Sequence, residues 1–239
     1  MEITAAIVAD LARTGVLRAS INLGNPILAQ GTMAAPTGVT VDIARELGAR
    51  LDAPVELVPF EAARDAFEAM PKGLADVCFL AIEPVRAAVV AFTAPYVVIE
   101  GVFVVPKDSE FTKAADVDRP GVRIGVAGGA AYDLYLSRTL RHATLVRGEE
   151  AVAVFRDQEL EAVAGIRQPM AAYVVDHPDV RVIEDRFMEI RQAVGTTTDR
   201  RPDTVRFLGD FVEELKATGF IADALRRAGQ FDAEVAPPA

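Results

Sequence analysis

Cysteine occurs once, at Cys78, so no disulfide can form within the chain. It lies in the apolar run ADVCFLAI (75–82), where a buried, unreactive strand thiol is expected. The only two histidines, His142 and His177, lack metal-ligand spacing and read as surface residues. Serine is nearly as scarce. Ser20, Ser109 and Ser137 are the three present, and none sits in a Gly-x-Ser-x-Gly elbow. Catalytic chemistry by metal or serine nucleophile therefore finds few residues, and no cofactor or metal is expected. No apolar run approaches the roughly 18–20 residues that span a bilayer. The start, MEITAAIVADLARTG, has no basic stretch followed by an apolar core, so it does not read as a signal peptide. Positive charge is also in deficit: 25 Lys and Arg face 35 Asp and Glu, a net charge of −10. That balance argues against nucleic acid as a partner, since phosphate binding needs a basic face.

What remains is an ordinary globular composition with 51% hydrophobic residues, and 239 residues suffice for one large domain or two lobes. Strand-like and helix-like segments alternate. VLRASINL (16–23) reads as a strand, and GVTVDIARELGARL (38–51) has helical spacing through Val41, Ala44, Leu47 and Leu51. VELVPF (55–60) is a strand, EAARDAFEAMPKG (61–73) a helix, and ADVCFLAI and YVVIEGVFVVP (96–106) are further strands. The pattern restarts at GVRIGVAGG (121–129), and the helical stretch 201–229 breaks at Gly219. The tail AEVAPPA (233–239) is expected to be loose. This order predicts two α/β units with mainly parallel strands. The expected boundaries are 1–102 plus 195–239 for the first lobe and 103–194 for the second, inserted lobe, joined by two hinge crossings. Ligands of such sheets sit at the carboxyl ends of the strands, and a cleft between the lobes is the expected site.

Few side chains carry chemistry. GVAGGAAYD (125–133) lacks the Walker lysine and a full Gly-x-Gly-x-x-Gly, yet it offers a strand, a glycine turn and a helix start. It is either a plain structural turn or half of an anion site. Asp42 reads as a helix-start acid; Glu61 and Glu83 read as solvated. Glu100 interrupts YVVIEGVFVV beside a glycine, where it could meet a ligand cation or pair with a neighbour. Arg86, in VRAAVVAFTAPY (85–96), is either a surface charge or a fixed anchor for an anion.

ADVCFLAIEPVRAAVVAFTAPY (75–96) resembles the signature of the family 3 extracellular solute-binding proteins, receptors that deliver amino acids and related molecules to ABC importers. GVTVDIARELGARL, RPGVRIGVAGGAAYDLYL and FVEELKATGFIADAL follow in that family's order, so the resemblance covers residues ~15–229. It implies a type 2 periplasmic-binding-protein-like α/β fold, two lobes with a hinge and a ligand cleft. It also implies that Arg86 holds a ligand carboxylate through a two-pronged salt bridge, as guanidinium geometry favours. Backbone groups of Leu80 and Ala81 would add to that carboxylate, and Gly129, Ala130 and Ala131 match a Gly-Thr/Ser turn of the second lobe. Ala81, Ala130 and Ala131 each lack the family's hydroxyl.

The family places an aspartate near the strand end AVAGIRQP (162–169), where it pairs with the ligand's amino group. Here the matching residue is Ile166 or Arg167, and neither is acidic. A ligand with two anionic ends, or a neutral body with one carboxylate, fits better, and Arg167 would be a second cation. Asn22 and Asn25 would supply amide hydrogen bonds, and Tyr132 a stacking ring. The implied function is capture of a small carboxylate-bearing solute by a monomeric, non-enzymatic receptor that serves an importer's membrane permease. The alternatives are an enzyme of cyclohexadienyl-dehydratase type, with Glu100 or Glu189 as its acid, and a cytoplasmic sensor domain without an attached helix-turn-helix. Localisation is periplasmic by resemblance, and cytoplasmic if Met1 is the native start.

Overall fold

The computed structural model describes residues 3–239. The chain divides into two compact units. One runs up to Val98 and resumes at Arg191; the other is Ile99–Ile190.

The first unit contains α1 (Ala5–Leu11), β1 (Leu17–Asn22), the hairpin of β2 (Gln30–Thr32) and β3 (Ala35–Thr37), and α2 (Val39–Arg50). It continues through β4 (Val55–Phe60), α3 (Ala63–Glu68), β5 (Val77–Ala81) and the single turn α4 (Pro84–Ala87). The long β6 (Val90–Pro106) carries the chain into the second unit. There follow β7 (Arg123–Ala127), α5 (Ala131–Thr139), β8 (Thr144–Gly148), α6 (Ala151–Asp157), β9 (Ala162–Ile166), α7 (Arg167–Asp176) and β10 (Val180–Val182). β11 (Met188–Thr197) leads back to α8 (Pro202–Ala217), α9 (Phe220–Arg227) and β12 (Glu234–Val235). The boundaries expected at 102–103 and 194–195 lie within β6 and β11.

In the first unit β1 is parallel to both β4 and β5, while β11 runs antiparallel to β5. Every residue of β5 is buried, as its continuous apolar run requires of a strand covered on both faces. Cys78 and Leu80 share one face and pack with Ala66 and Met70. Burial pushes the Cys78 thiol up to about 12, the inert thiol expected.

The second unit sets β7 parallel to β8 and β9, with β6 antiparallel to β9. The period-2 alternation of strands divides its core in two. Phe103 and Val105 face one apolar cluster with Ile124, Leu136 and Ala164. Val102 and Val104 face the other with Val154, Phe155 and Val163.

Two local expectations meet different outcomes. Gly219 separates α8 from α9 in the left-handed region, φ 80°, as the predicted helix break requires. The C-terminal tail, expected to be loose, is tied down: Glu234 and Val235 pair with Val98 and Val97. The Ala236 N–H donates to the Tyr96 carbonyl, and Lys216 Nζ donates to the Pro95 and Pro237 carbonyls. An exposed edge of β6 accepts a short partner strand that sequence periodicity is too brief to announce. Among the described residues, no helix is long and apolar enough to cross a membrane.

Candidate functional site

Parallel strands place their carboxyl ends together, so β1, β4 and β5 bring Asn22, Phe60 and Ala81 to one end of the first unit's sheet. Asn22 and Asn25 shape the turn that leaves β1. The Asn22 Oδ1 accepts from Gly24 N–H at 3.1 Å, and the Asn25 Oδ1 from Ile27 N–H at 3.3 Å. Both asparagines are buried. Each oxygen accepts one backbone N–H and keeps a second lone pair, so both side chains can still donate and accept.

Beyond β5, Pro84 at the start of α4 presets the helical backbone, and the short turn brings Arg86 back over the strand end. Arg86 is 1% exposed, and its Nη1 donates to the Ala81 carbonyl at 3.2 Å. Burial pushes its guanidinium down to about 10, against the opposing charge of Glu83. Glu83 was expected to be solvated; instead it is 2% exposed. An exposed carboxylate would leave the buried Arg86 charge without a nearby counter-charge, so the two are buried together. Leu80 packs its side chain into the core and Ala81 is equally buried, so each can offer only backbone atoms.

In the second unit the predicted turn forms as drawn. Gly129 lies at φ 76°, and α5 begins at Ala131 with no side-chain cap from Ala130. Its anion is already built in. The Gly129 N–H donates to Asp133 Oδ2 at 2.8 Å, and the Ala130 N–H to the Ala127 carbonyl at 3.2 Å. Asp133 is 3% exposed and is gripped by Arg147 at 2.9 Å. Tyr132 packs against the core rather than standing free, and burial pushes its hydroxyl up to about 12.

The end of β9 and the start of α7 carry the two residues named there from sequence. Ile166 is the last strand residue, paired with Gly101 of β6, and Arg167 opens α7. Arg167 does not stand as an available second cation. Its Nε lies 2.5 Å from Glu100 Oε2, and its Nη2 donates to the Glu184 carbonyl at 2.7 Å. Glu100 is likewise committed, because Arg186 holds its other oxygen at 2.8 Å and also bonds Glu189 at 2.8 Å. Arg186 foremost, joined by Arg167, holds the Glu100 carboxyl below the usual range despite partial burial. Glu100 therefore closes an internal arginine pair and has no need of a ligand cation.

Three contributors escaped the sequence reading: Glu83, Asp133 and Phe60. Phe60 ends β4 in register with Asn22 and is half-buried. The i, i+3 spacing of Glu83 and Arg86, and the fourth-residue position of Asp133 after Gly129, were the signals available. Asp42, read as a helix-start acid, does lie in the first turn of α2 and also pairs with Arg227 at 2.8 Å.

A cavity of about 360 Å³ lies at the other end of the first unit's strands, lined in part by Arg18, Asp76, Thr197 and Arg200. Two of its arginines share one carboxylate. Asp76 accepts from Arg18 Nε and from Arg200 Nη2, each at 2.9 Å.

The family model described as bacterial extracellular solute-binding proteins, family 3, matches residues 24–230. No curated protein matches the chain in sequence. Among solved structures, the P235GK mutant of ArgBP from T. maritima superposes with a TM-score of 0.76 at 21% identity, covering 93% of this chain and 99% of that one. An amino acid ABC transporter substrate-binding protein, AbpA from Streptococcus pneumoniae, bound to L-arginine, gives 0.75 at 16% identity, covering 94% and 98%. The ancestral amino acid-binding protein AncCDT-1, a precursor of cyclohexadienyl dehydratase, gives 0.74 at 20% identity, covering 92% and 98%. At these identities the likeness shows the fold alone.

Proposed function

The chain belongs to the bacterial extracellular solute-binding proteins, family 3, with their type 2 periplasmic-binding-protein fold, and from that premise we propose that it captures a small solute through a carboxylate held by Arg86. One observation carries the reading. A guanidinium buried to 1% exposure, and pushed down to about 10 by burial, lies at the carboxyl end of β5. Charge buried at that cost is unfavourable unless something negative shares the site, and a planar carboxylate matches the guanidinium fork. Glu83 supplies part of that charge from within the chain; the ligand supplies the rest.

The solute reaches the membrane permease of an ABC importer, and the receptor works as a monomer outside the cytoplasm. The likeness to AbpA supports the importer and the extracellular membership of the family supports the location. No bond is made or broken. An enzymatic reading draws on the likeness to AncCDT-1, and it requires a positioned general acid. Glu100 is held ionised by Arg186 and Arg167, which makes it a poor proton donor. Native mass spectrometry of the purified protein identifies any copurified solute, and calorimetry with that solute on Arg86 variants tests the anchor. Recovery of a solute without a carboxylate would refute it, and conversion of the solute to a product would favour the enzyme.

A further inference from the structure

We propose that the first unit carries a second binding site, for a small tetrahedral oxyanion of the phosphate or sulfate type, in the cavity of about 360 Å³ at the amino ends of β1 and β5. Every residue that lines it belongs to the first unit, and Arg86 is not among them. The lining comes from the segment after α1, the start of β1, the approach to β5 and the turn between β11 and α8. Three of these residues are arginines: Arg13, Arg18 and Arg200.

The three are not equally engaged. Arg18 is fully committed. Its Nε and Nη2 donate to Asp76 at 2.9 Å, and its Nη1 donates to the Gly73 carbonyl at 2.6 Å. The Arg200 side chain is 3% exposed. Its Nη2 donates to Asp76 and its Nη1 to the Asp10 carbonyl, but its Nε is buried without a partner among the described residues. A buried N–H in that state is unfavourable, and an acceptor oxygen in the cavity would satisfy it. Arg13 is half-exposed and loosely held. Its Nη2 lies 3.3 Å from Asp10 and 3.6 Å from Asp199, and its Nε and Nη1 have no partner among the described residues.

Asp199 occupies the place the anion would take. Its side chain is 65% exposed. The Thr197 hydroxyl foremost, then the charges of Arg13 and Arg200, hold its carboxyl below the usual range. It is thus a carboxylate of the chain itself, standing in a field set by two arginines and fixed by one hydroxyl and one long ion pair. An exposed pair of that kind contributes little, so an incoming oxyanion can take Arg13 from it. Asp76 cannot be displaced in the same way, because it is buried between Arg18 and Arg200. The open donors sit on separate residues. A tetrahedral anion offers oxygens in several directions, whereas a planar carboxylate matches one guanidinium fork. The net charge of −10 does not gather anions by its overall field, so binding here would report the local arginines.

Calorimetry and thermal unfolding of the whole chain with phosphate, sulfate and acetate, at an ionic strength held constant by chloride, test the site. Phosphate and sulfate are expected to bind saturably at millimolar concentration or below and to raise the melting temperature, and acetate is not. The Glu83→Gln/Arg86→Met variant is expected to retain this binding, which separates it from capture at Arg86. Arg13→Gln alters a half-exposed side chain outside the buried triad, and is expected to weaken binding by about 10-fold or more, the scale of a hydrogen bond to a charged group. Asp199→Asn keeps an acceptor for the Thr197 hydroxyl and removes the competing charge, and is expected to tighten binding by about 2- to 5-fold. Absence of saturable binding by both phosphate and sulfate overturns the proposal. So does equal affinity in Arg13→Gln and the parent, loss of binding in the Glu83→Gln/Arg86→Met variant, acetate bound as tightly as phosphate, or an affinity that Asp199→Asn does not raise.

Discussion

Arg86 holds two tasks that one substitution cannot separate, and a pair of substitutions can. Its guanidinium sits at about 10, between two and three pH units below the ordinary arginine value, because burial outweighs the help from Glu83. At about 1.4 kcal/mol per pH unit, that difference is about 3 kcal/mol of unfavourable charge burial. The sign follows from the direction. A base whose folded value is lowered carries this penalty in full at neutral pH, and is relieved of it only as pH rises through about 10. A bound carboxylate offsets the penalty, and about 3 kcal/mol corresponds to roughly 100-fold in affinity. Replacing Arg86 by Met alone strands the buried Glu83 carboxylate, so it is expected to destabilise the protein by about 3–5 kcal/mol, the cost of breaking a buried pair. For a chain of this size that lowers the melting temperature by about 6–20 °C. Replacing both, as Glu83→Gln with Arg86→Met, removes both charges and is expected to return stability to within about 1 kcal/mol of the parent. Binding of the carboxylate stays weakened by on the order of 100-fold. Urea unfolding measures the first quantity and calorimetry the second. If Arg86→Met is as stable as the parent, the two charges are not coupled; if the double variant binds as the parent does, the guanidinium does not hold the ligand.

Three further outcomes follow from the packing. Asp76 is fully buried and serves both Arg18 and Arg200, so Asp76→Ala is expected to cost about 3–5 kcal/mol; a loss below 1 kcal/mol in urea unfolding would count against a buried ion triad. The Tyr96 hydroxyl is buried without a partner among the described atoms, so Tyr96→Phe is expected to leave stability unchanged or raise it by about 1 kcal/mol, and a clear drop in melting temperature would reveal a hidden partner for that oxygen. Burial pushes the Asp118 carboxyl up, but the amides of Ala143, Arg141 and His142 outweigh it and hold the group below its usual value. A lowered acid contributes stability above its unfolded value and loses that contribution as pH falls through the folded one. The gap in urea midpoint between the parent and Asp118→Asn should therefore be full at neutral pH and close in acid, and a gap that stays constant down to pH 2 would exclude this linkage.

The architecture was legible because it is written in periodicity and punctuation. The apolar run of β5 and the alternation through Phe103, Val104 and Val105 need only the strand period, and Gly219 marks a helix break by its freedom at positive φ. Arg86 stands out in sequence because an arginine two residues after Pro84, followed by Phe92-Thr93-Ala94-Pro95-Tyr96, is a motif of residue types at fixed spacing. The charge state of its surroundings does not, and the reason is physical. Whether Arg167 is available or committed depends on Glu100, 67 positions earlier and brought beside it by the pairing of β6 with β9. Asp133 is local to Gly129, yet a first-turn acid looks the same in sequence whether it faces water or folds back on the turn. Sequence exposes the charges a chain carries, whereas a ligand responds to the charges left over once the chain has paired its own. In this protein the pairing consumes the second unit's arginine and its helix-start donor alike. A reading from residue types alone therefore overstates the charge available to a ligand, and it does so at the positions where long-range pairing is strongest.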